Sequence, residues 1–315
     1  MEYRILGNTG LKVSELCFGA LTIGPLQANL SVEDGGRLIK QALDRGVNFI
    51  NTAEQYQTYD YIKHALKGFR GDAVIATKSL AVDYNGMKRS IENALRSLDR
   101  EVIDIFHLHA ARASVDVFDK RSEALRCLVD YKEKGYIRAT GISTHNVKVV
   151  ERAAKIPEID VVYPLINKLG KGILDGSLAD MLAAIETCRK AGKGLYAMKV
   201  LAGGYLINDL LDAIAFARGI ESMHSVSVGM ANERELELNL KIFSGEDVAP
   251  EMLPGMSAKK LLIVDIFCKR CGACMDVCPN SALSMGEKSV VVNPEKCLLC
   301  GYCHPVCPEL AIRII

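Results

Sequence analysis

The sequence predicts an α/β protein: a closed (βα)8 barrel of the TIM type followed by a small cysteine-rich C-terminal unit. Three observations lead there. Short apolar runs alternate with amphipathic stretches from residue 17 to about residue 243. Eight such runs can be counted, the number that closes a parallel barrel. Eight of the chain's 11 cysteines then fall in two matched runs at the C-terminal end.

The elements follow in order. The opening stretch YRILGNTGLKVSEL reads as a short hairpin with a Gly-rich turn, placed to plug the N-terminal mouth of a barrel. Strand candidates are residues 17–21, 48–52, 73–78, 104–109, 139–144, 161–166, 194–199 and 225–229. A helical stretch follows each. The first starts at the capping residues Ser31 and Asp34 and stops at Gly46; the sixth, DGSLADMLAAIETCRKAG, closes at Gly192. Strands alternating with helices imply a parallel sheet. A doubly wound open sheet is the alternative, but no GxGxxG follows the first strand. The expected organisation is a barrel over residues 1–243, a linker over 244–260 and the cysteine-rich domain over 261–315.

Charge and hydropathy exclude several functions. The 315 residues carry 39 basic against 38 acidic side chains with no run of like charge, which argues against a nucleic-acid or anionic-membrane surface. No apolar run approaches the roughly 20 residues that span a bilayer, and the N-terminus lacks the apolar core of a secretion signal. A soluble cytosolic protein is expected. In that compartment clustered cysteines imply metal or cluster ligation, not disulfides. The scattered Cys17, Cys127 and Cys188 read as core residues.

The C-terminal segment is the most specific feature. CKRCGACMDVCP and CLLCGYCHPVCP each have the spacing C-x2-C-x2-C-x3-C-P, the run used by two-cluster bacterial ferredoxins, in which the fourth cysteine of one half ligates the other cluster. Cys268, Cys271, Cys274 and Cys307 are therefore expected to hold one [4Fe-4S] cluster, and Cys297, Cys300, Cys303 and Cys278 the second. Zinc is the competing reading, but zinc sites usually pair two CxxC knuckles, whereas three close thiolates plus a remote Cys-Pro suit a cubane.

Chemistry in such a barrel belongs where strands end. The expected strand ends carry Asn51 with Tyr56 just beyond, Lys78, His109, Ser143 with His145 and Asn146, Asn167 with Lys168, Lys199, and Gly229 with Asn232. Together they describe a polar crater.

INTAEQY after the second strand, IATKS closing the third, DIFHLH as the fourth and GISTHN as the fifth resemble the aldo-keto reductases, in order and register over about residues 1–243. The C-terminal cysteines point to the iron-sulfur branch of that superfamily. The resemblance implies carbonyl reduction with hydride from a nicotinamide, Tyr56 as general acid, Lys78 as the lysine that lowers the tyrosine pKa, and His109 as the residue that orients the carbonyl. A phenol with a pKa near 10 gives up its proton more readily beside a cation. His107, on the same strand face one layer deeper, is expected either to fix the His109 tautomer or to serve the core.

The chain departs from that family in two places. Asn51 stands where the resemblance implies Asp; it can hydrogen-bond Lys78 but not neutralise it, so either a charged Lys78 depresses the Tyr56 pKa further or desolvation discharges the lysine. The nucleotide grip differs too. Gly229 and Glu235 stand where a lysine and an arginine are implied, the loop LAGGYL after the seventh strand is short, and only Ser143, as a carboxamide contact, and Asn239, as an adenine contact, match. NAD(H) is expected over NADP(H), if either binds, unless Arg234 restores phosphate binding. Lys168 and Lys199 suggest an anionic small-molecule substrate.

A nicotinamide passes two electrons as hydride and each cluster one. Coupling them ordinarily takes a flavin, for which no motif is visible. The leading expectation is an oxidoreductase on a small carbonyl or hydroxyl substrate, its clusters served by a redox protein partner or a bound flavin. A lyase or isomerase using Tyr56 and Lys78 for acid/base work, and an electron-transfer module on a scaffold barrel, are the alternatives.

Overall fold

The structure, a computed structural model, describes residues 1–254, 260–278, 281–294, 296–297 and 303–314. Strands β1 (Tyr3–Ile5) and β2 (Lys12–Ser14) form the expected antiparallel hairpin. Its Leu6, Leu11 and Val13 pack against the barrel interior beside Phe49, Ile105 and Val161, so it does close the N-terminal mouth.

Eight parallel strands make the barrel: β3 (Leu16–Gly19), β4 (Phe49–Asn51), β5 (Val74–Ser79), β6 (Ile103–His109), β7 (Ile137–Thr144), β8 (Val161–Pro164), β9 (Gly194–Ala197) and β10 (Ser225–Gly229), which pairs back to β3. All eight strand candidates are present. The outer ring is α1 (Val32–Asp44), α2 (Tyr59–Leu66), α3 (Tyr84–Leu98), the short α4 (Val117–Lys120), α5 (Ser122–Glu133), α6 (Val147–Ala153), α7 (Leu178–Lys190), α8 (Leu210–Arg218) and α9 (Glu233–Ser244). Caps set the helix starts: the Ser31 side chain accepts from Asp34 N–H at α1, and Ser177 and Asp180 form a capping box at α7. Among the described residues, no helix is long and apolar enough to cross a membrane.

Strand alternation sorts the side chains. Phe18, Ile50, Ile75, Phe106 and Ile142 face the helices and form the larger core. Cys17, Phe49, Ala76, Ile105 and Ala139 face inward. Toward the C-terminal ends the inward positions turn polar, with Asn51, Lys78, His107 and Ser143 all buried.

The C-terminal unit has two antiparallel pairs. β11 (Leu261–Ile263) pairs with β14 (Ile312–Ile314), and β12 (Leu283–Met285) with β13 (Val290–Val292). Short helices α10 (Ala273–Asp276) and α11 (Cys303–Val306) carry Cys274 and Cys303 into a small core with Leu283, Val290 and Ile312. So little apolar burial calls for a staple such as a metal cluster.

This unit docks over the C-terminal rim. Leu310 joins the barrel's inner core beside Leu165 and Met198. Arg112, in the loop after β6, donates to Pro308 O at 2.9 Å and pairs with Glu309 at 3.1 Å. β14 lies against the loop after β9 so closely that a Cβ on Gly204 would stand 3.1 Å from Ile314 O.

Candidate functional site

The site starts from a buried lysine. Lys78, at 1% exposure, ends β5 inside the barrel. Its ammonium donates to Asn51 Oδ1 at 2.9 Å and to Thr52 O at 2.6 Å. Both acceptors are neutral, so burial dominates and brings the Lys78 pKa down to about 7. Of the two outcomes open at position 51, discharge of the lysine is the one favoured.

Asn51 Oδ1 also accepts from the Tyr196 hydroxyl at 3.2 Å, and that hydroxyl lies 2.7 Å from His107 Nε2. With the tyrosine proton turned to Asn51, His107 is the donor through Nε2–H. His107 therefore bonds Tyr196 and does not fix His109. Its ring fits because position 141 is glycine: a Cβ there would stand 2.2 Å from His107 Nδ1. Tyr163 stacks on Tyr196 with centroids 3.9 Å apart and also lies beneath the Lys78 ammonium, 5.3 Å from ring centre to Nζ.

Tyr56 ends the single 3-10 turn Glu54–Tyr56 that follows β4. Lys78 Nζ lies 4.9 Å from its ring centre, and His109 meets it edge-on at 6.2 Å. The structure thus brings Asn51, Tyr56, Lys78 and His109 together. Electrostatically it departs from expectation: burial pushes the Tyr56 phenol well above its ordinary range, opposed by the positive charge of Arg313 and not by Lys78. His109 is held neutral by burial and by nearby cations, Lys78 first among them.

His109 and Ser143 are register partners on β6 and β7. His109 Nδ1 and Ser143 Oγ are both buried without a hydrogen-bond partner, as is His145 Nδ1 just beyond. Three unpaired buried polar atoms in one corner of the crater mark a place for a polar ligand. Arg121 fixes this corner from behind, donating to Ser79 O, Ala81 O and His109 O at 2.7–3.0 Å. Neither Tyr196 nor Arg121 was marked by the sequence, because their partners come from distant strands.

The cysteines gather above. Cys268, Cys271, Cys274 and Cys307 line one cavity together with Pro308, Glu309 and Ala311, the grouping expected from the crossover. Four thiols around one cavity are the donor set that a [4Fe-4S] cluster takes. They fit a cubane. Backbone N–H groups of Ala282 and Ala311 donate to Cys278 and Cys307 Sγ, each at 3.3 Å. Of the second set, Cys278, Cys297 and Cys303 are described; Cys300 lies outside the described residues.

Arg313 joins the two regions. It is 5% exposed on β14, its guanidinium donates to Leu310 O and Ile312 O, and it lies against Gly203. It is within electrostatic reach of both Cys307 and Tyr56.

The two lysines expected in the crater part company. Lys168 pairs with Asp209 at 3.5 Å and Asp212 at 3.8 Å, so its charge is taken. Among the described residues Lys199 has no carboxylate partner; its Nζ lies 5.9 Å from the ring centre of Phe267, and burial beside Arg313 and Arg112 holds its pKa well below the ordinary lysine range.

A nicotinamide dinucleotide fits only at its ends. Ser143 Oγ and Asn239 Oδ1 are buried and unpartnered. The middle does not fit. Glu235 turns its carboxylate onto Ala231 N–H at 2.9 Å, Arg234 donates to Glu251 O, and β14 covers the Gly203–Gly204 turn. Gly229 has no room for a longer side chain, since a Cβ there would stand 2.2 Å from Thr22 Cγ2. Arg234, the residue that could restore a phosphate grip, is turned to Glu251 O in this structure.

Residues 15–243 match the aldo/keto reductase family model, and residues 267–311 match a 4Fe-4S dicluster domain. L-galactose dehydrogenase of Arabidopsis thaliana is 28% identical over 219 residues, 65% of this chain and 67% of that protein. Aldo-keto reductase YhdN of Bacillus subtilis is 26% identical over 184 residues, 53% of this chain and 54% of its own length, so the match spans about half of that relative. Among solved structures, a Pseudomonas aeruginosa protein assigned to the aldo-keto reductases superposes with a TM-score of 0.67 at 25% identity, covering 77% of this chain and 95% of its own.

Proposed function

Because the chain belongs to the aldo/keto reductase family and is an oxidoreductase with a 4Fe-4S dicluster domain, we propose that it interconverts a small carbonyl and its alcohol at Tyr56 with electrons exchanged through that domain. The division into a barrel of residues 1–243, a linker of 244–260 and a cluster domain of 261–315 is part of the proposal. One observation carries it: the cluster domain docks on the C-terminal rim, with Leu310 in the barrel's inner core and Arg313 against the Gly203 turn, so the reacting phenol and the first set of cluster ligands lie at the same end of the barrel.

Reduction of C=O to CH–OH takes two electrons and two protons, and two [4Fe-4S] clusters, when bound, supply one electron each. The chain's own residues supply the rest. Tyr56, a phenol protonated at neutral pH and held to its proton more firmly by burial, donates that proton to the carbonyl oxygen as the oxygen becomes basic. Unpartnered His109 Nδ1 and Ser143 Oγ face the substrate's polar atoms and set its orientation. The second proton, to carbon, comes from solvent, and Lys78, whose Nζ lies 4.9 Å from the Tyr56 ring centre, when protonated favours the phenolate left behind. The poor fit of a dinucleotide leaves hydride transfer out of the scheme. An anionic substrate is not needed to explain the lysines, since Lys168 is paired and Lys199 lies within reach of Cys307.

The test is the electron source. Anaerobic, cluster-loaded protein is given a panel of small aldehydes and ketones with either a low-potential one-electron donor, such as a reduced ferredoxin, or NADH or NADPH. Product is expected with the one-electron donor. Turnover driven by a nicotinamide in Cys307→Ser would sink the reading. Product isomerised with no donor at all would establish acid/base chemistry in its place, the second reading that the missing phosphate grip keeps in view.

A further inference from the structure

Two basic side chains at the interface between barrel and cluster domain, Arg313 and Lys199, have no carboxylate partner among the described residues. Arg313 spends its hydrogen bonds on carbonyl oxygens, which accept protons but do not cancel charge. Lys199 sits at the end of β9 in a left-handed backbone, φ 56°, a strained conformation for a lysine and one that proteins keep where it serves something. Its Nζ lies over Phe267, the residue directly before Cys268. Arg112, by contrast, is matched by Glu309.

Arg313 donates to the carbonyl of Leu310, on the turn whose Leu310 N–H bonds Cys307 O at 3.2 Å and whose Ala311 N–H donates to Cys307 Sγ at 3.3 Å, so its guanidinium charge acts on Cys307. Lys199 does not add a second fixed charge, because burial beside Arg313 and Arg112 holds its pKa well below the ordinary lysine range. Among the described residues, Cys278 also accepts one amide hydrogen bond at 3.3 Å; what sets Cys307, the crossover ligand of the first set, apart is the buried Arg313 held against the barrel's Gly203 turn.

We propose that Arg313 is a positioning residue that supplies counter-charge to the first cluster, makes it the easier of the two to reduce, and so brings an electron to rest beside Tyr56. The inference rests on the reading that Cys268, Cys271, Cys274 and Cys307 hold a [4Fe-4S] cluster. Reduction by a one-electron donor adds one negative charge to the cluster and its thiolates. Fixed positive charge at a water-poor interface favours the more negative state, and charge and solvent exposure are among the factors that set cluster potentials. The same guanidinium acts on Tyr56, so cluster charge and phenol are coupled through one side chain.

The test is a dithionite redox titration followed by EPR on the anaerobically loaded full chain, comparing wild type with Arg313→Gln, Arg313→Lys and Lys199→Gln. Cys278→Ser, which removes a ligand of the second cluster, identifies the signal of the first. At the wild-type midpoint, Arg313→Gln is expected to lower the reduced-to-oxidised ratio of the first cluster about tenfold, equivalent to about 59 mV for one electron. Arg313→Lys should keep most of it, Lys199→Gln should leave it nearly unchanged, and the second cluster should not move. An unmoved first-cluster midpoint in Arg313→Gln, or equal shifts of both clusters, overturns the proposal. If Arg313→Gln fails to load clusters, Arg313→Met, which keeps the aliphatic stem, takes its place, and an unmoved midpoint there overturns the proposal alone. Iron content and signal intensity report separately on whether the cysteines hold clusters at all.

Discussion

Lys78 donates to Asn51 Oδ1 across 2.9 Å, an ammonium held by a neutral amide inside the barrel. Its pKa of about 7, against an ordinary value of 10.5, follows from burial that Asn51 does not offset. Below about pH 7 the lysine is protonated in folded and unfolded chains alike, and the full cost of burying the cation is present. As pH rises from about 7 towards 10.5 the folded chain releases a proton that the unfolded chain keeps, so stability grows through that window.

Asn51→Asp should remove this growth. The new carboxylate keeps Lys78 charged, and the stability of the variant relative to wild type should fall as pH is raised through the window, by about 1.4 kcal/mol for each pKa unit restored. Denaturation of both proteins at several pH values checks it; parallel pH profiles would show that Lys78 is already charged.

Tyr196→Phe should cost about 1–3 kcal/mol of unfolding free energy, because it strips the partner from His107 Nε2 at a fully buried site. Urea denaturation gives the number directly. A neutral substitution would mean that His107 finds another acceptor.

Much of this was legible in the sequence, for a physical reason. The barrel strands are short apolar runs bounded by caps and glycines, and residues at strand ends such as Asn51, Lys78 and His109 converge wherever a barrel closes. Partners that lie far apart in the chain were not legible. Lys168 reads like Lys199 until the fold places Asp209 and Asp212 beside it. Arg313, between Ile312 and Ile314, reads as the solvent face of an edge strand, and it is buried only because β14 lies on the loop after β9.

Iron and acid-labile sulfide should each approach about eight per chain in anaerobic preparations, two cubanes' worth. Cys307→Ser should damage the cluster that Cys268, Cys271 and Cys274 hold, the set with which it shares a cavity, and Cys278→Ser the other. Equal loss of both in each variant, or stoichiometric zinc, would undo the assignment.

NADPH should bind no more tightly than NADH, and both weakly. Glu235 turns its carboxylate onto Ala231 N–H and Arg234 is engaged by Glu251 O, so neither offers a free positive charge to a 2'-phosphate. Calorimetric titration of the loaded protein with each nucleotide decides it; a clear preference for NADPH would mean that Arg234 leaves Glu251.

The most direct measurement follows the clusters themselves. Anaerobic protein is reduced, freed of donor and mixed with a carbonyl substrate found in the donor assay, and the EPR signal of the reduced clusters is followed in wild type and in Tyr56→Phe, which leaves the cysteines intact. The account predicts that the carbonyl reoxidises the clusters in wild type, with one alcohol formed per two electrons lost, and at least about 100-fold more slowly without the Tyr56 hydroxyl, the lower end of general-acid contributions. Clusters that stay reduced while the substrate is present, or reoxidise equally fast in Tyr56→Phe, would contradict it.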